Sequence, residues 1–484
     1  MELISLSFLL LVAVALALYG ARRSSGWRTG VLVLANAAFV AMLLPASPFD
    51  AWALVLFLAL GYAALCAVDR WRDGRCLAAA IASVVAVFLY LKRYAVVGFL
   101  PALPAGYAVV GLSYILFRVI HLLVDTQNGA VAVRPSVPAY LAYVCFFLAF
   151  VSGPVHRYEP FARQVAEPPV KLSPEEAFAA FARIVAGLAK ILLLSAAFQG
   201  VFGAVAKPLL DPAFAGIAPV GRSALAFAAS AAAYALYLYF NFSGYTDLVI
   251  GVARLFGIVL PENFDRPFRA GSLLEFWTRW HISLSVWFRD YLFTPLATAL
   301  TRRFPTGGAA APIAVTSLFV TFLTMGLWHG TTTAFLWYGL LLGAGAALNK
   351  LWQIDLTKRL GRKRYRTLTA NRTYALLCRG VTFAYFATAL ACFWLDGGQL
   401  ARIFGVLGAA GTASAFATVT AAAALFAAAA DPAEAWTRRV LDGAAEGFRR
   451  RSVVREACLG AGIFALIALA TLFNGAPDFV YGGY

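Results

Sequence analysis

Residues 311–330 read APIAVTSLFVTFLTMGLWHG, and 311–328 contain no Asp, Glu, Lys or Arg. A helix needs about 20 mostly apolar residues to cross the hydrocarbon core, and this run supplies them. It ends on Trp328-His329-Gly330. A second Trp-His pair lies in Phe276-Trp277-Thr278-Arg279-Trp280-His281-Ile282-Ser283-Leu284-Ser285. The chain has four histidines, and these two occupy its most apolar parts. An ionisable side chain at membrane depth is costly, so His281 and His329 are functional-site candidates.

Runs of the same kind recur along all 484 residues, at roughly 3–20, 31–45, 51–68, 77–91, 105–124, 138–155, 180–205, 222–240, 245–260, 284–300, 311–328, 333–350, 373–394, 410–430 and 456–474. Hydrophobic residues make up 62% of the chain and charged residues 13%, with a mean hydropathy of +0.77. That lies outside the soluble range. A transmembrane β-barrel would alternate polar and apolar positions over segments of about ten residues, and the long Ala/Leu/Val/Phe runs do not. The expected fold is all-α and integral to the membrane, with about 11–13 crossings and some short helices re-entrant or buried. The whole of 1–484 reads as one polytopic domain without a soluble appendage.

The formal charge is +17, but its distribution argues against a nucleic-acid partner. The cations fall between apolar runs, as the positive-inside rule describes. Arg22, Arg23 and Arg28 follow the first run, and Arg70, Arg72 and Arg75 follow the third. Lys358, Arg359, Arg362, Lys363, Arg364, Arg366 and Arg372 form the densest cluster, and a further basic stretch lies at 438–455. This pattern puts both termini outside and an even number of crossings between them. The first run lacks a basic segment before it and reads as a retained helix rather than a signal peptide. Cys66, Cys76, Cys145, Cys378, Cys392 and Cys458 are scattered, so neither disulfides nor a metal site is expected.

Polar stretches fall at about 156–178, 261–281, 352–372 and 431–455. Ser173-Pro174-Glu175-Glu176 carries the marks of a helix start. There is no internal repeat, which weakens an inverted-repeat transporter. Residues 239–291 stand apart. They mix Asn241, Ser243, Tyr245, Asp247, Glu262, Asn263, Asp265, Arg266, Arg269, Glu275, Arg279, His281, Arg289 and Asp290 with aromatics. Polar groups at that density between apolar spans must pair with one another or line a wet cavity.

On a continuous helix Trp277, His281, Ser285 and Phe288 would share one face. A neutral imidazole with its other nitrogen fixed can take a proton from a hydroxyl, the basic step of acyl transfer. A Gly-x-Ser-x-Gly elbow is absent, so a covalent serine route has no support. Polar side chains also serve as plain glue between helices, and that is the reading for His121 and His156. Two Trp-His pairs beside a polar island point to chemistry instead.

These residues also carry a likeness. Residues 239–247 (Tyr239 to Asp247), 261–268 (Pro261 to Phe268) and 275–291 (Glu275 to Tyr291) resemble the core of the membrane-bound O-acyltransferase family. They are especially similar to the bacterial branch of alginate O-acetylation and teichoic-acid D-alanylation membrane proteins. Met325-Gly326-Leu327-Trp328-His329-Gly330 resembles a second block of that family. Gly111-Leu112-Ser113-Tyr114 with Phe117-Arg118, and Ser152-Gly153-Pro154-Val155-His156-Arg157-Tyr158, resemble its N-terminal blocks. The likeness covers about 105–350.

The resemblance implies helices around a central tunnel, with an activated acyl thioester (acetyl-CoA or an acyl carrier protein) as substrate from the cytoplasm and no bound cofactor. It implies His329 as the essential catalytic residue and His281 as its companion. Trp280, Trp328, Ser285, Tyr245, Asp247, Asn263, Arg289 and Asp290 are the candidate substrate-contacting residues. It further implies a multi-pass protein of the bacterial inner membrane. Its partners would be membrane lipid, a glycan acceptor, and an extracytoplasmic acyltransferase or esterase-like protein. Ser152-Gly153-Pro154 and Gly111-Leu112-Ser113-Tyr114 lean toward D-alanylation, whereas Asn241 to Tyr245 with Asp247 leans toward acetylation. The Ala/Arg-rich composition hints at a bacterium without teichoic acids, which favours acetylation of an exported polysaccharide. A proton-coupled transporter or flippase, with the histidines as a relay, is the rival from another class, and a haem-handling protein is a third.

Overall fold

The computed structural model describes residues 5–44, 48–101, 111–167, 172–211, 219–448 and Gly462, with the side chains of 433–448 left out. Most of the expected span at 456–474, the first part of that at 105–124, and residues 449–455 of the basic stretch 438–455 lie outside the described residues. Among the described residues every regular element is helical, and nine helices are long and apolar enough to cross a membrane. Leu6–Ala21 and Val137–Ala149 are shorter apolar helices. This is the all-α integral architecture expected from composition.

Several boundaries differ from the sequence reading. The runs at 222–240 and 245–260 belong to one helix, Val220–Leu255. Asn241, Ser243 and Tyr245 do not break it, because their side chains are buried and polarity alone does not interrupt helical backbone. The run at 284–300 is continuous helix but is not among the nine long apolar helices: Ile282–Phe288 passes through a π-helical turn at Arg289–Phe293 into Thr294–Arg303. Pro295 has no N–H to donate back along the helix, and the widened turn before it accommodates that loss. The basic stretch 358–370 is helix rather than loop, continuing Thr333–Ala370 with a break at Gly361 (φ 75°). Arg and Lys are good helix formers, so charge there does not mean coil.

The described chain divides into two compact units, one built on Met1–Leu188 with Gly244–Glu262, the other on Ala189–Ser243 with the described residues from Asn263 to Phe448. In the first, Ser173 and Glu176 form a reciprocal cap at the start of Pro174–Ala189: Glu176 N donates to Ser173 Oγ at 3.2 Å and Ser173 N to Glu176 Oε2 at 3.0 Å. That helix passes close to 244–251, since a Cβ on Gly187 would meet Gly244 O at 2.6 Å and one on Gly251 would meet Ala180 O at 2.9 Å.

The helix Val137–Val144 breaks before a 3-10 turn at Phe147–Ala149. Its freed carbonyls need donors at this depth. Asn36 Nδ2 donates to Leu141 O and Ala142 O at 3.1 and 3.2 Å, while its Oδ1 accepts from Phe147 N at 2.8 Å. The buried Arg118 donates to Val144 O at 2.7 Å and to Ala149 O. Arg28, expected as a loop cation, is instead buried in Ser25–Leu43 and donates to Ala166 O at 3.2 Å. Its reach across to a carbonyl makes it a packing residue as well as a charge.

In the second unit Ala310–Trp328 and Thr333–Ala370 form an antiparallel hairpin closed by a four-residue turn. Small residues let the two backbones approach: a Cβ on Gly343 would lie 2.9 Å from Phe319 O, and one on Gly326 would fall onto Gly339.

Candidate active site

His281 owes its position to a break in the helix that was expected to carry it. Ser272 Oγ caps Leu273–Trp277 by accepting from Glu275 N at 3.2 Å. The helix then stops, because 279–282 pair with 263–265: Asp265 N donates to Arg279 O at 3.0 Å, Ile282 N donates to Asn263 O at 3.0 Å, and Phe264 bridges Trp280. Arg279 holds the same turn through Glu275 Oε1 and Asp265 Oδ2, both at 3.1 Å. His281 sits at the turning point with φ 44° and ψ 53°, a left-handed backbone that costs a non-glycine residue roughly 1–3 kcal/mol and persists only where its surroundings fix it. The single face proposed for Trp277, His281, Ser285 and Phe288 is therefore not formed. Trp277 ends one helix, and Ser285 and Phe288 lie on the next.

The imidazole of His281 is buried and meets the edge of Phe242, with ring centroids 4.7 Å apart. His329 is buried too, at the end of Ala310–Trp328, with its N–H donating to Gly326 O at 3.1 Å. Its ring is enclosed by Trp328 at 4.7 Å, Phe393 at 5.2 Å and Tyr338 at 5.5 Å. Gly330 is required by the turn's packing, since a Cβ there would fall onto the Phe335 ring. Both histidines belong to the second unit.

Of the other candidates, six share this unit. Trp280 is buried among aromatics, with Phe386 at 4.7 Å, Phe264 at 5.1 Å and Phe276 at 5.5 Å. Trp328 lies against His329. Ser285 Oγ donates to Trp280 O at 3.4 Å. Asn263 is buried, and its Oδ1 accepts from Ser283 N at 3.2 Å and Ser283 Oγ at 2.6 Å. Arg289 and Asp290 pair with each other at 2.8 Å, with Arg289 exposed and Asp290 half-buried.

Tyr245 and Asp247 belong to the first unit. There Tyr245 donates to Leu148 O at 3.2 Å, and Asp247 accepts from Arg183 Nε at 3.0 Å. Arg183 also grips Glu262 with both terminal nitrogens. Sequence reasoning missed Arg183, as well as Ser283, Tyr338 and Phe393. A polar residue two places after His281 was the one visible hint, and it pointed to Ser283.

His121 and His156 act as interior fasteners, as expected. Tyr158 N donates to His121 Nε2 at 2.9 Å, so Nδ1 carries the proton toward Asp125 Oδ2 at 3.2 Å. His156 Nδ1 donates to Pro154 O at 3.3 Å. Among the described residues no three His, Cys, Asp or Glu side chains group as a metal site, and Cys66, Cys76, Cys145, Cys378 and Cys392 are free thiols, Cys458 lying outside the described residues.

Chemically, buried imidazoles of this kind, one in an aromatic collar and one on a fixed turn, can take up and return a proton beside a reacting carbonyl. Comparison with known proteins bears on which carbonyl. Residues 46–388 match the family model described as MBOAT, membrane-bound O-acyltransferase family. A teichoic acid D-alanyltransferase of Bacillus subtilis (strain 168) is 28% identical over 278 residues, 57% of this chain and 66% of that protein. A probable alginate O-acetylase AlgI of Azotobacter vinelandii is 31% identical over 247 residues, 51% of this chain and 45% of that protein. The counterpart in Pseudomonas aeruginosa is also 31% identical over 247 residues, 49% of this chain and 43% of that protein. The chain thus spans less than two thirds of the length of each of these relatives.

Proposed function

The chain belongs to the membrane-bound O-acyltransferase family, and from that premise we propose that it transfers an acyl group from a cytoplasmic thioester to a hydroxyl of an exported or cell-surface glycan, directly or through a partner protein. The observation that carries this reading is the pair His281 and His329, both buried and both in one unit. His329 accepts the proton of the incoming hydroxyl as its oxygen attacks the thioester carbonyl. The C–O bond forms, the C–S bond breaks, and the departing thiolate takes the proton back from His329. His281 assists by hydrogen bonding. The Trp328, Tyr338 and Phe393 rings keep bulk water from the imidazole and so protect the thioester from hydrolysis.

Acetyl is the first reading of the acyl group, supported by the likeness of Asn241 to Asp247 to the acetylation branch and by the 31%-identical relatives named as alginate O-acetylases. D-alanyl is the second, supported by the relative named as a D-alanyltransferase. Function in a bacterial inner membrane, with an extracytoplasmic partner and an acetyl-CoA or carrier-protein donor, belongs to the same proposal.

The test is complementation of a deletion strain with wild type and His329→Ala, followed by measurement of base-labile acetate and D-alanine on surface glycans. Loss of a general base costs about 10²–10⁴-fold, so ester content should vanish at unchanged membrane abundance. Retained ester with His329→Ala sinks the assignment. Substrate flux driven by a proton gradient, without ester formation, would favour the transporter reading.

A further inference from the structure

Asn263 touches the residues after His281 at three points. Its carbonyl accepts from Ile282 N at 3.0 Å, and its side-chain Oδ1 accepts from Ser283 N at 3.2 Å and Ser283 Oγ at 2.6 Å. A main-chain N–H can only donate, so the atom facing Ser283 is the amide oxygen. Asn263 is fully buried, and its Nδ2 has no hydrogen-bond partner among the described residues. A buried amide that leaves its nitrogen unpaired is held by what its oxygen does.

What the oxygen does is fix the chain just past the left-handed residue. Asp265 N on Arg279 O secures the segment before His281, and Asn263 secures the segment after it. Between the two, His281 has φ 44°. Nothing in the local sequence favours that turn over a continuous helix through Trp280-His281-Ile282. The tertiary bonds impose it.

We propose that Asn263 is a positioning residue for His281: its Oδ1, through Ser283, holds the left-handed turn that aims the imidazole. This rests on the reading of His281 as the companion of His329. The role belongs to the acceptor end of the amide, which yields a sharp substitution pattern. Asn263→Asp keeps an oxygen in the same place for Ser283, whereas Asn263→Ala removes it. Ser283→Ala removes one of the two bonds and leaves the main-chain one.

The experiment uses the full chain in the complemented deletion strain, with base-labile acetate and D-alanine as readout and membrane abundance measured for every variant. Misplacement of a catalytic group by about 1 Å can cost 10²-fold. Asn263→Ala should therefore lower ester formation at least about tenfold, while Asn263→Asp and Ser283→Ala stay within about threefold. In a His281→Ala background, which retains His329, Asn263→Ala should change nothing further, because its effect runs through the missing ring. Purely structural damage would add instead. Additive losses overturn the proposal, and so does Asn263→Asp falling as far as Asn263→Ala, which would move the role to Nδ2. If Asn263→Ala does not accumulate in the membrane, the Asn263→Asp result decides alone. Wild-type ester content with His281→Ala would sink the functional reading of that histidine, a different failure from either of these.

Discussion

Gly326 and Gly339 meet backbone to backbone, so that the helix ending in Trp328-His329 is pressed against the helix that follows it. A Cβ on Gly339 would lie 2.6 Å from Leu323 O, against an atom of the helix backbone that cannot swing aside. Overpacking a tight site costs typically 1–3 kcal/mol, and a rigid neighbour pushes it to the upper end. Gly339→Ala should thus lower the thermal unfolding midpoint of the detergent-purified protein and reduce ester formation with it. Gly203→Ala is the control. Nothing lies within 4 Å of a Cβ there, and replacing a helical glycine should be neutral or stabilising by roughly 0.5–1 kcal/mol. Equal midpoints for the two variants would refute the close-approach argument.

Asp247 is engaged by Arg183 at 3.0 Å, and the same guanidinium holds Glu262. Arg183→Gln leaves two carboxylates facing each other without their cation. Breaking a fully buried pair costs about 3–5 kcal/mol, but the Arg183 side chain is 28% exposed, and solvent screening reduces that to roughly 1–2 kcal/mol. Arg183→Gln should lose stability in proportion, and Asp247→Asn should lose less, with activity per folded molecule unchanged in both. A collapse of activity in Asp247→Asn at wild-type stability would instead show that this aspartate acts on the substrate.

What the sequence made legible, and what it hid, follows from the range of the interactions. The span at 311–328 was readable because apolar length alone decides a crossing, and the Trp-His pairs were readable because an imidazole in such a setting is out of place. The left-handed turn at His281 was not. It depends on Asn263, twenty residues away in the chain, and local periodicity predicts the helix that this contact prevents. The partner of Asp247 was hidden for the same reason: Arg183 is sixty-four residues distant. The polar residues of 241–245 suggested a break between spans, yet burial and helix-to-helix packing against Gly187 keep Val220–Leu255 continuous.

Asn36 should be among the costliest polar residues to remove. Its one side chain serves Leu141 O, Ala142 O and Phe147 N at the broken helix 137–149. Each buried main-chain group left without a partner costs about 1–3 kcal/mol. Asn36→Leu, similar in size and without polar atoms, should therefore destabilise by more than any one of those bonds, and the variant should be poorly recovered from membranes. Asn36→Asp keeps the acceptor for Phe147 N and loses both donors, so it should not rescue. Normal recovery of Asn36→Leu would show that the break finds other partners.

Phe393 tests whether the aromatic collar aims His329 or merely fills space. Its ring centroid lies 5.2 Å from the imidazole and 4.8 Å from Tyr338, so it touches both the histidine and another wall of the same enclosure. Phe→Ala in a core costs about 3–5 kcal/mol, and that cavity would confound any activity measurement. Phe393→Leu retains most of the apolar volume, and such hydrophobic swaps usually cost less than about 1.5 kcal/mol. What it removes is the flat edge-to-face contact that restricts the imidazole's rotation. The expected result is a thermal midpoint close to wild type with kcat lowered several-fold and KM little changed, because substrate still binds while the proton acceptor is misaimed. Tyr338→Phe preserves its ring and should retain kcat. If Phe393→Leu lowers the midpoint and leaves kcat intact, the collar is packing alone, and the orientation of His329 must come from the hairpin turn that contains Gly330.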